Sequence, residues 1–428
     1  MFLPLSRKSF NRGFNDSVEA MAIDVKDSAH AVDAASVMRL LPARPRVLAL
    51  GEPTHGEESL LEVRNELFRQ FVEREGYRTI AIESDCLLGL VVDEYVTGGT
   101  DDLDRAMEGG FSHGLGSSGA NRELVRWVRA YNEGRPVAEC VRFAGFDGPL
   151  EITGAASPRY ALVALYDYLA ARVAPDLLPC TTETLEQLLG ADEPWTEPAA
   201  MTDASRSVGQ SARARELMLL ADDLVALLDA RAPEPTTSGS REEWHRARLY
   251  GRTATGLLRY HFWMADSSAG RMSRLVELRD RMMADNLLAL AERGPVLVHA
   301  HNSHLQRDRS SMRMWDQPLV EWWSAGAIVS AHLGAEYAFV ATALGTIRHR
   351  GVEEPPPKSV EGLLYALPDD RYVVDVRRLN SVLGEPRPAA RTSSWFGYAP
   401  LDPVHLGGLD GMVFVKDMRR CAAGDRGA

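Results

Sequence analysis

Short apolar runs alternate along this chain with longer stretches in which apolar residues recur every three or four positions. Val47–Leu50, Thr79–Ile82, Val141–Phe146 and Pro295–Val298 read as strands. Ala327–Val329, Ala338–Thr342, Tyr372–Asp375 and Met412–Val415 extend that set toward the C-terminus. Between the first two runs, Leu60, Leu61, Leu67, Phe68, Phe71 and Val72 fall at helical spacing, which predicts a helix over Glu57–Glu75 with Gly76 as its stop. Strand, helix and strand within Arg46–Glu83 make a βαβ unit, and such a unit implies a parallel sheet.

Helical periodicity also predicts Val32–Leu41, Ser84–Val96, Asn121–Tyr131 and Trp315–Ser324. From Pro158 to about Arg293 the pattern is almost wholly helical, over Tyr160–Ala171, Glu183–Leu189, Arg206–Ala230, Arg241–Ala265 and Arg274–Glu292. Ala232–Gly239 is a linker between two of these helices. The expected class is therefore α/β: a mixed, mostly parallel central sheet flanked by helices, with a large helical insertion forming one side of the active-site cleft. The division reads as an N-terminal arm (1–30), a first core half (31–157), a helical insertion or lid (158–293) and a second core half (294–428).

The strand ends carry the polar residues. Gly51-Glu52-Pro53-Thr54-His55-Gly56 follows the first strand, and Pro53 with the two glycines favours a turn that presents His55 on a loop. Glu83 ends the second strand. Ligands of open α/β sheets bind at the carboxyl ends of strands, and a His between two carboxylates there is a candidate general base. Glu52 is placed to orient its ring. Arg64, about two helical turns beyond the loop, either reaches back to the same mouth or pairs with Glu83. The fourth strand leads into His299, His301 and His304, a dense cluster for a chain with 11 histidines. His301 and His304 share a face if a helical turn begins at Asn302. This is not HExxH, so no metal is expected, although a metal-dependent hydrolase built on Glu52, His55, His301 and His304 stays open. The Gly- and Ser-rich loop Phe111–Gly119 carries His113, which is placed to face the same pocket. No GxSxG elbow is present.

Composition narrows the function class. Of 428 residues, 45% are hydrophobic and 25% charged, as in ordinary globular proteins, and the net charge of -12 argues against nonspecific nucleic-acid binding and against a polybasic membrane surface. The cysteines Cys86, Cys140, Cys180 and Cys421 are far apart and read as free thiols. No apolar run approaches a membrane span and the N-terminus lacks a signal-peptide pattern, so a cytoplasmic protein is expected.

LGEPTHG, then Arg64, then AIE at Glu83, and later VHAHNSH resemble the erythromycin esterase family, including its succinoglycan-biosynthesis relatives. RELVRWVRAYN (Arg122–Asn132), FAGFD (Phe143–Asp147), RDRMMADNLL (Arg279–Leu288) and the stretch Tyr398–Asp417 add to the likeness. The resemblance implies a hydrolase that opens an ester or lactone of a macrolide-like natural product. It further implies His55 as general base, Glu52 and Glu83 orienting and polarising it, and Arg64 nearby. His301 and His304 would bind the substrate carbonyl or stabilise the oxyanion, and Asn302 and His113 are further candidates for substrate contact; no cofactor is expected. The same base could instead run non-hydrolytic chemistry in a natural-product pathway, as a cyclase, lyase or isomerase. A small-molecule substrate is expected in every case.

Overall fold

The computed structural model describes residues 25–151, 154–233, 241–313 and 319–419. The N-terminal arm up to residue 24, most of the Ala232–Gly239 linker, Trp315 and Cys421 lie outside the described residues. Eight strands form the main sheet: β1 (Ala29–His30), β2 (Val47–Glu52), β3 (Thr79–Asp85), β4 (Arg142–Asp147), β5 (Val296–His301), β6 (Tyr337–Thr346), β7 (Arg371–Val374) and β8 (Gly411–Asp417). Their spatial order is β1-β7-β8-β6-β2-β5-β3-β4. The run from β8 to β4 is parallel, and the β7–β8 and β1–β7 pairs are antiparallel.

Alternation along the strands divides the core into two layers. Leu48, Leu50, Ile80, Ile82 and Leu297 pack on one face against Leu60, Leu67, Phe68 and Phe71 of the Glu58–Glu75 helix. Val47, Ala49, Ala81, Val296 and Val298 pack on the other against Met283, Ala284 and Leu287 of the Arg271–Ala291 helix. The helices Arg159–Ala170, Thr182–Leu189, Ala212–Ala230 and Arg241–Met264 gather around a separate apolar cluster that includes Leu162, Leu165, Leu217, Leu224 and Leu258. Among the described residues no helix is long and apolar enough to cross a membrane.

Several elements differ from the periodicity reading. The βαβ unit of Arg46–Glu83 is parallel as expected, but its strands are not neighbours: β5 lies between β2 and β3. Ala327–Val329 is not a strand but the middle of the helix Ala325–Leu333, which Ser324 caps through its side chain. Its short apolar run had no polar alternation to tell strand from helix. Val320–Trp323, expected within a helix, is a strand that pairs antiparallel with Arg309–Met312. Its β-branched and aromatic residues suit a half-buried hairpin. Ser84 and Asp85 continue β3, and the helix after them begins only at Gly89.

The β3–β4 pairing shifts register between Ile82 and Asp85. A glycine, Gly145, faces this irregularity. A Cβ there would sit 2.2 Å from the Asp85 carbonyl oxygen and 2.6 Å from that of Ser84. The contacts are backbone, so relief requires the strands to part. Gly145→Ala is therefore expected to lower the thermal unfolding midpoint by several degrees, the equivalent of about 1–3 kcal/mol of overpacking. An unchanged midpoint in a melting experiment would show that β3 is not held this tightly.

Candidate active site

The parallel register sets four strand ends side by side. Glu52 ends β2 opposite His301 of β5, and Glu83 and Asp147 lie near the ends of β3 and β4. Leu48, Leu50 and Glu52 alternate onto one face of the sheet, as do Leu297, His299 and His301. Ala81 and Glu83 alternate onto the opposite face, toward the Arg271–Ala291 helix. The cluster thus spans the edge where the two faces meet.

Glu52 is buried, and each of its oxygens meets an imidazole. Oε1 lies 2.7 Å from His55 Nδ1 and Oε2 lies 3.2 Å from His299 Nε2. His299 Nδ1 in turn donates to the Leu50 carbonyl at 3.0 Å. Burial alone would raise the Glu52 carboxyl, but His299 and His55 outweigh it and hold the group well below the usual carboxylate range.

Glu83 is the most heavily engaged side chain. Its Oε1 lies 3.1 Å from Arg279 Nη2, 3.4 Å from His304 Nε2 and 3.7 Å from His55 Nε2. Its Oε2 accepts from the His301 backbone N–H at 2.8 Å. Burial would raise this carboxyl too, and His304, His55 and Arg279 together hold it low. Arg279 also donates to Asp147, at 2.7 Å from Nη2. Burial disfavours the guanidinium, but Asp147 and Glu83 keep it firmly charged.

The histidines take different states. Burial would depress His55, but Glu83 and Glu52 raise it to about 9. Its side chain is nevertheless 47% exposed, so one edge of the ring opens to solvent. Burial, followed by the charge on His55, pushes His301 down to about 4, so that ring is neutral. His301 Nδ1 accepts from the Ser303 backbone N–H at 3.2 Å and lies 2.7 Å from the Ser303 hydroxyl. In the neutral tautomer this leaves the proton on Nε2. The two rings are 5.4 Å apart between centroids. His304 opposes its own burial through Asp280 and then Glu83, which raise it, and its Nδ1 sits 3.0 Å from both Asp280 oxygens.

The structure brings Glu52, His55, Glu83, His301 and His304 together. It does not pair Arg64 with Glu83. Arg64 is wholly buried, bonded to Asn65 Oδ1 (2.7 Å) and Asn121 Oδ1 (2.8 Å), and Glu52 is the carboxylate whose charge it feels most. The cation on Glu83 is Arg279, which comes from the helix before β5. Asn302 is spent on the backbone: its amide donates to the Thr342 carbonyl at 2.8 Å and accepts from the Thr342 N–H at 3.2 Å. It clamps β5 to β6 across β2, and Gly51 is required there because a Cβ would meet Asn302 Oδ1 at 2.1 Å. His304, with Asp280 at one nitrogen and Glu83 at the other, supports Glu83 rather than facing outward. His113 adopts φ 55° and lies 3.2 Å from Asp147 Oδ2 and 2.8 Å from Glu151 Oε2, at the rim beside Arg279.

Arg279, Asp280, Asp147 and His299 also join this cluster, although the sequence assigns none of them a catalytic or substrate-binding role. Three signals pointed to them: the RDRMMADNLL stretch, the Asp that ends β4, and the third His of the cluster. Each imidazole faces a carboxylate or a backbone group. Among the described residues no group of three or more His, Cys, Asp or Glu side chains is disposed to hold one metal ion.

The family model for erythromycin esterase matches residues 72–417. The matched span includes Glu83, Asp147, Arg279, His301 and His304, and begins after Glu52, His55 and Arg64. The fold is similar to that of a Bacillus cereus protein of known structure (17% identity, TM-score 0.68, covering 94% of this chain and 99% of that one). It is similar also to a succinoglycan biosynthesis protein (16%, TM-score 0.62, 93% and 97%). A third similar structure is a His-to-Asn mutant of the erythromycin esterase EreC in its open conformation (17%, TM-score 0.60, 87% and 90%). With its sheet, its strand-end cluster and a model match over most of its length, this chain belongs to the erythromycin esterase family.

Proposed function

We propose that this protein hydrolyses an ester or lactone of a natural-product, macrolide-like small molecule by direct attack of water, with His55 as general base. The observation that carries the reading is the pairing of unlike imidazoles. A ring favoured as a cation, His55, faces a neutral ring, His301, across 5.4 Å. Groups with environments that drive their pKa values apart are suited to separate acid–base roles.

Glu52 accepts the His55 Nδ1 proton, which leaves Nε2 as the nitrogen that takes a proton from water. The gap of 3.7 Å between that nitrogen and Glu83 exceeds a direct hydrogen bond, and a water seated beside both groups could be oriented by them. Attack on the carbonyl places charge on its oxygen, and the Nε2–H of His301 is the neutral donor for that oxyanion. His55, now an imidazolium between Glu52 and Glu83, returns its proton to the departing alkoxide. Arg279 and His304 keep Glu83 ionised throughout.

Three outcomes test this reading. With an ester or lactone substrate in labelled water, the product acid should carry oxygen from solvent. Turnover without label would point to the non-hydrolytic alternative. His55→Ala should lower kcat/KM by about 10²–10⁴-fold with an unchanged circular-dichroism spectrum, and His301→Ala should lower kcat by about 10²–10³-fold. The third outcome is a pH profile. A base must be unprotonated to act, and the free enzyme's pKa governs kcat/KM. With His55 raised to about 9, kcat/KM should climb with pH and level off above that value. Removing one carboxylate by Glu83→Gln lowers the pKa of the imidazolium and should shift the rising limb to lower pH. A flat profile through the neutral and alkaline range would exclude His55 as the base.

A further inference from the structure

A cavity lined by both apolar and charged side chains lies against the outer edge of the main sheet. It measures about 70 Å³ and sits between the outer strand β4 and the helices Gly89–Val96, Arg241–Met264 and Arg271–Ala291. Thr79 and Arg142, the first residues of β3 and β4, line it, whereas Glu83 and Asp147 lie toward the other ends of those strands. Phe143, Ala144 and Gly145 continue the lining along β4, so the cavity runs beside this outer strand while the Glu83 and Asp147 side chains are not part of its wall.

The charges around this cavity do not balance. Its carboxylates are Asp93 and Glu242. Arg142 takes Asp93, with Nε 2.9 Å from Oδ1, and also reaches Glu242 at 2.9 Å. Arg293 takes the other oxygen of Glu242 at 2.7 Å. Two acids are thus matched by two guanidinium groups. Arg246 and Arg252 also line the cavity, and among the described residues neither contacts a carboxylate. The one hydrogen bond shown for Arg252 goes to a neutral acceptor, Asn286 Oδ1 at 3.3 Å. The acidic groups that favour its charge are the Cys86 thiol, then Asp285 and Glu292, and those two carboxylates are engaged by Arg281 (2.9 Å) and Arg248 (2.7 Å). Burial first, then Arg248, lowers the Arg252 guanidinium to about 10. His245, on the same wall, is pushed to about 4 by burial and then by Arg293, so it adds a neutral ring. Arg252 is half-buried with no acid beside its guanidinium, and an anion entering the cavity would supply the missing opposite charge.

We propose that this cavity binds a small oxyanion of the phosphate class, gripped by Arg252 with Arg246 at its entrance. The forked guanidinium matches phosphate geometry. The volume is that of a few waters, far below the roughly 300 Å³ of pockets for drug-sized ligands. The site therefore suits inorganic phosphate, or the head of a phosphomonoester with its remainder in solvent. It is independent of the esterase reading.

The test is calorimetric titration of the full chain with sodium phosphate, set against sodium chloride at matched ionic strength, together with thermal unfolding. Saturable phosphate binding and a rising midpoint are expected. Arg252→Gln should weaken the affinity at least about tenfold, consistent with losing a charge-assisted hydrogen bond. Arg246→Ala, at an exposed position, should weaken it by a smaller factor without disturbing the fold. A parallel titration with glycerol 3-phosphate distinguishes the sources: tighter binding than phosphate identifies an ester head, and weaker binding the free ion. An equal effect of chloride, or phosphate affinity unchanged in both variants, would overturn the proposal.

Discussion

The buried carboxylate of Glu83 is the interaction on which the rest of the site depends. An ionised acid removed from water is tolerated only if charge and hydrogen bonds compensate it. Here the compensation comes from four partners on three segments: the His55 loop, the His301 backbone and His304 side chain after β5, and Arg279. Each partner is itself secured. Arg279 is held by Asp147, and His304 by Asp280, which also caps the helix at Ala325 through its N–H at 2.7 Å. Loss of Glu83 would therefore leave Arg279 with Asp147 and His304 with Asp280 while removing the acid that joins them to His55. A net of this kind fixes positions closely, because no member can move without exposing another's charge.

Topology makes the net possible. Had β2 and β3 been neighbours, Glu52 and Glu83 would have stood on opposite faces of adjacent strands with no histidine-bearing strand between them. The insertion of β5 separates them by one strand and delivers His299, His301 and His304 into the gap. The helix before β5 carries Arg279 and Asp280 on the Glu83 side of the sheet. Chain order and spatial order differ at this point, as they do where open α/β sheets place their ligand crevices. The Asn302 clamp on Thr342 and the bare Cα of Gly51 let the strands approach closely enough for the crevice to form.

Much of this was legible in the sequence, because strand ends are local features. Apolar runs ending in Glu52, Glu83 and Asp147 mark their own boundaries, and a parallel sheet puts such ends on one edge. What was not legible is who pairs with whom. Arg64 and Arg279 are both arginines on apolar-faced helices, and only the insertion of β5 decides which one reaches Glu83. Asn302 carries a side chain common in binding sites, yet β6, on the far side of β2, absorbs its hydrogen bonds. The hairpin around Val320–Trp323 and the helix over Ala327–Val329 were misread because short apolar runs carry no decisive period. Capping by Ser324 and pairing with Arg309–Met312 settle both, and each is a contact rather than a pattern.

The same carboxylates that hold the net together set a compromise on catalysis. Glu52 and Glu83 make His55 a stronger base, and they also keep it protonated when no reaction is under way. Under the proposed mechanism the imidazolium is the form present after water has lost its proton. The carboxylates then stabilise the transition state more than the neutral resting base, and only that difference accelerates the chemistry. The cost is a smaller fraction of free base at neutral pH. The open edge of the ring moderates this, since solvent screens the acids there. A substrate that closes over the edge excludes that solvent and strengthens the attraction to Glu83 at the moment positive charge forms on the ring. Under that mechanism, apolar bulk on the substrate would contribute to rate as well as to binding.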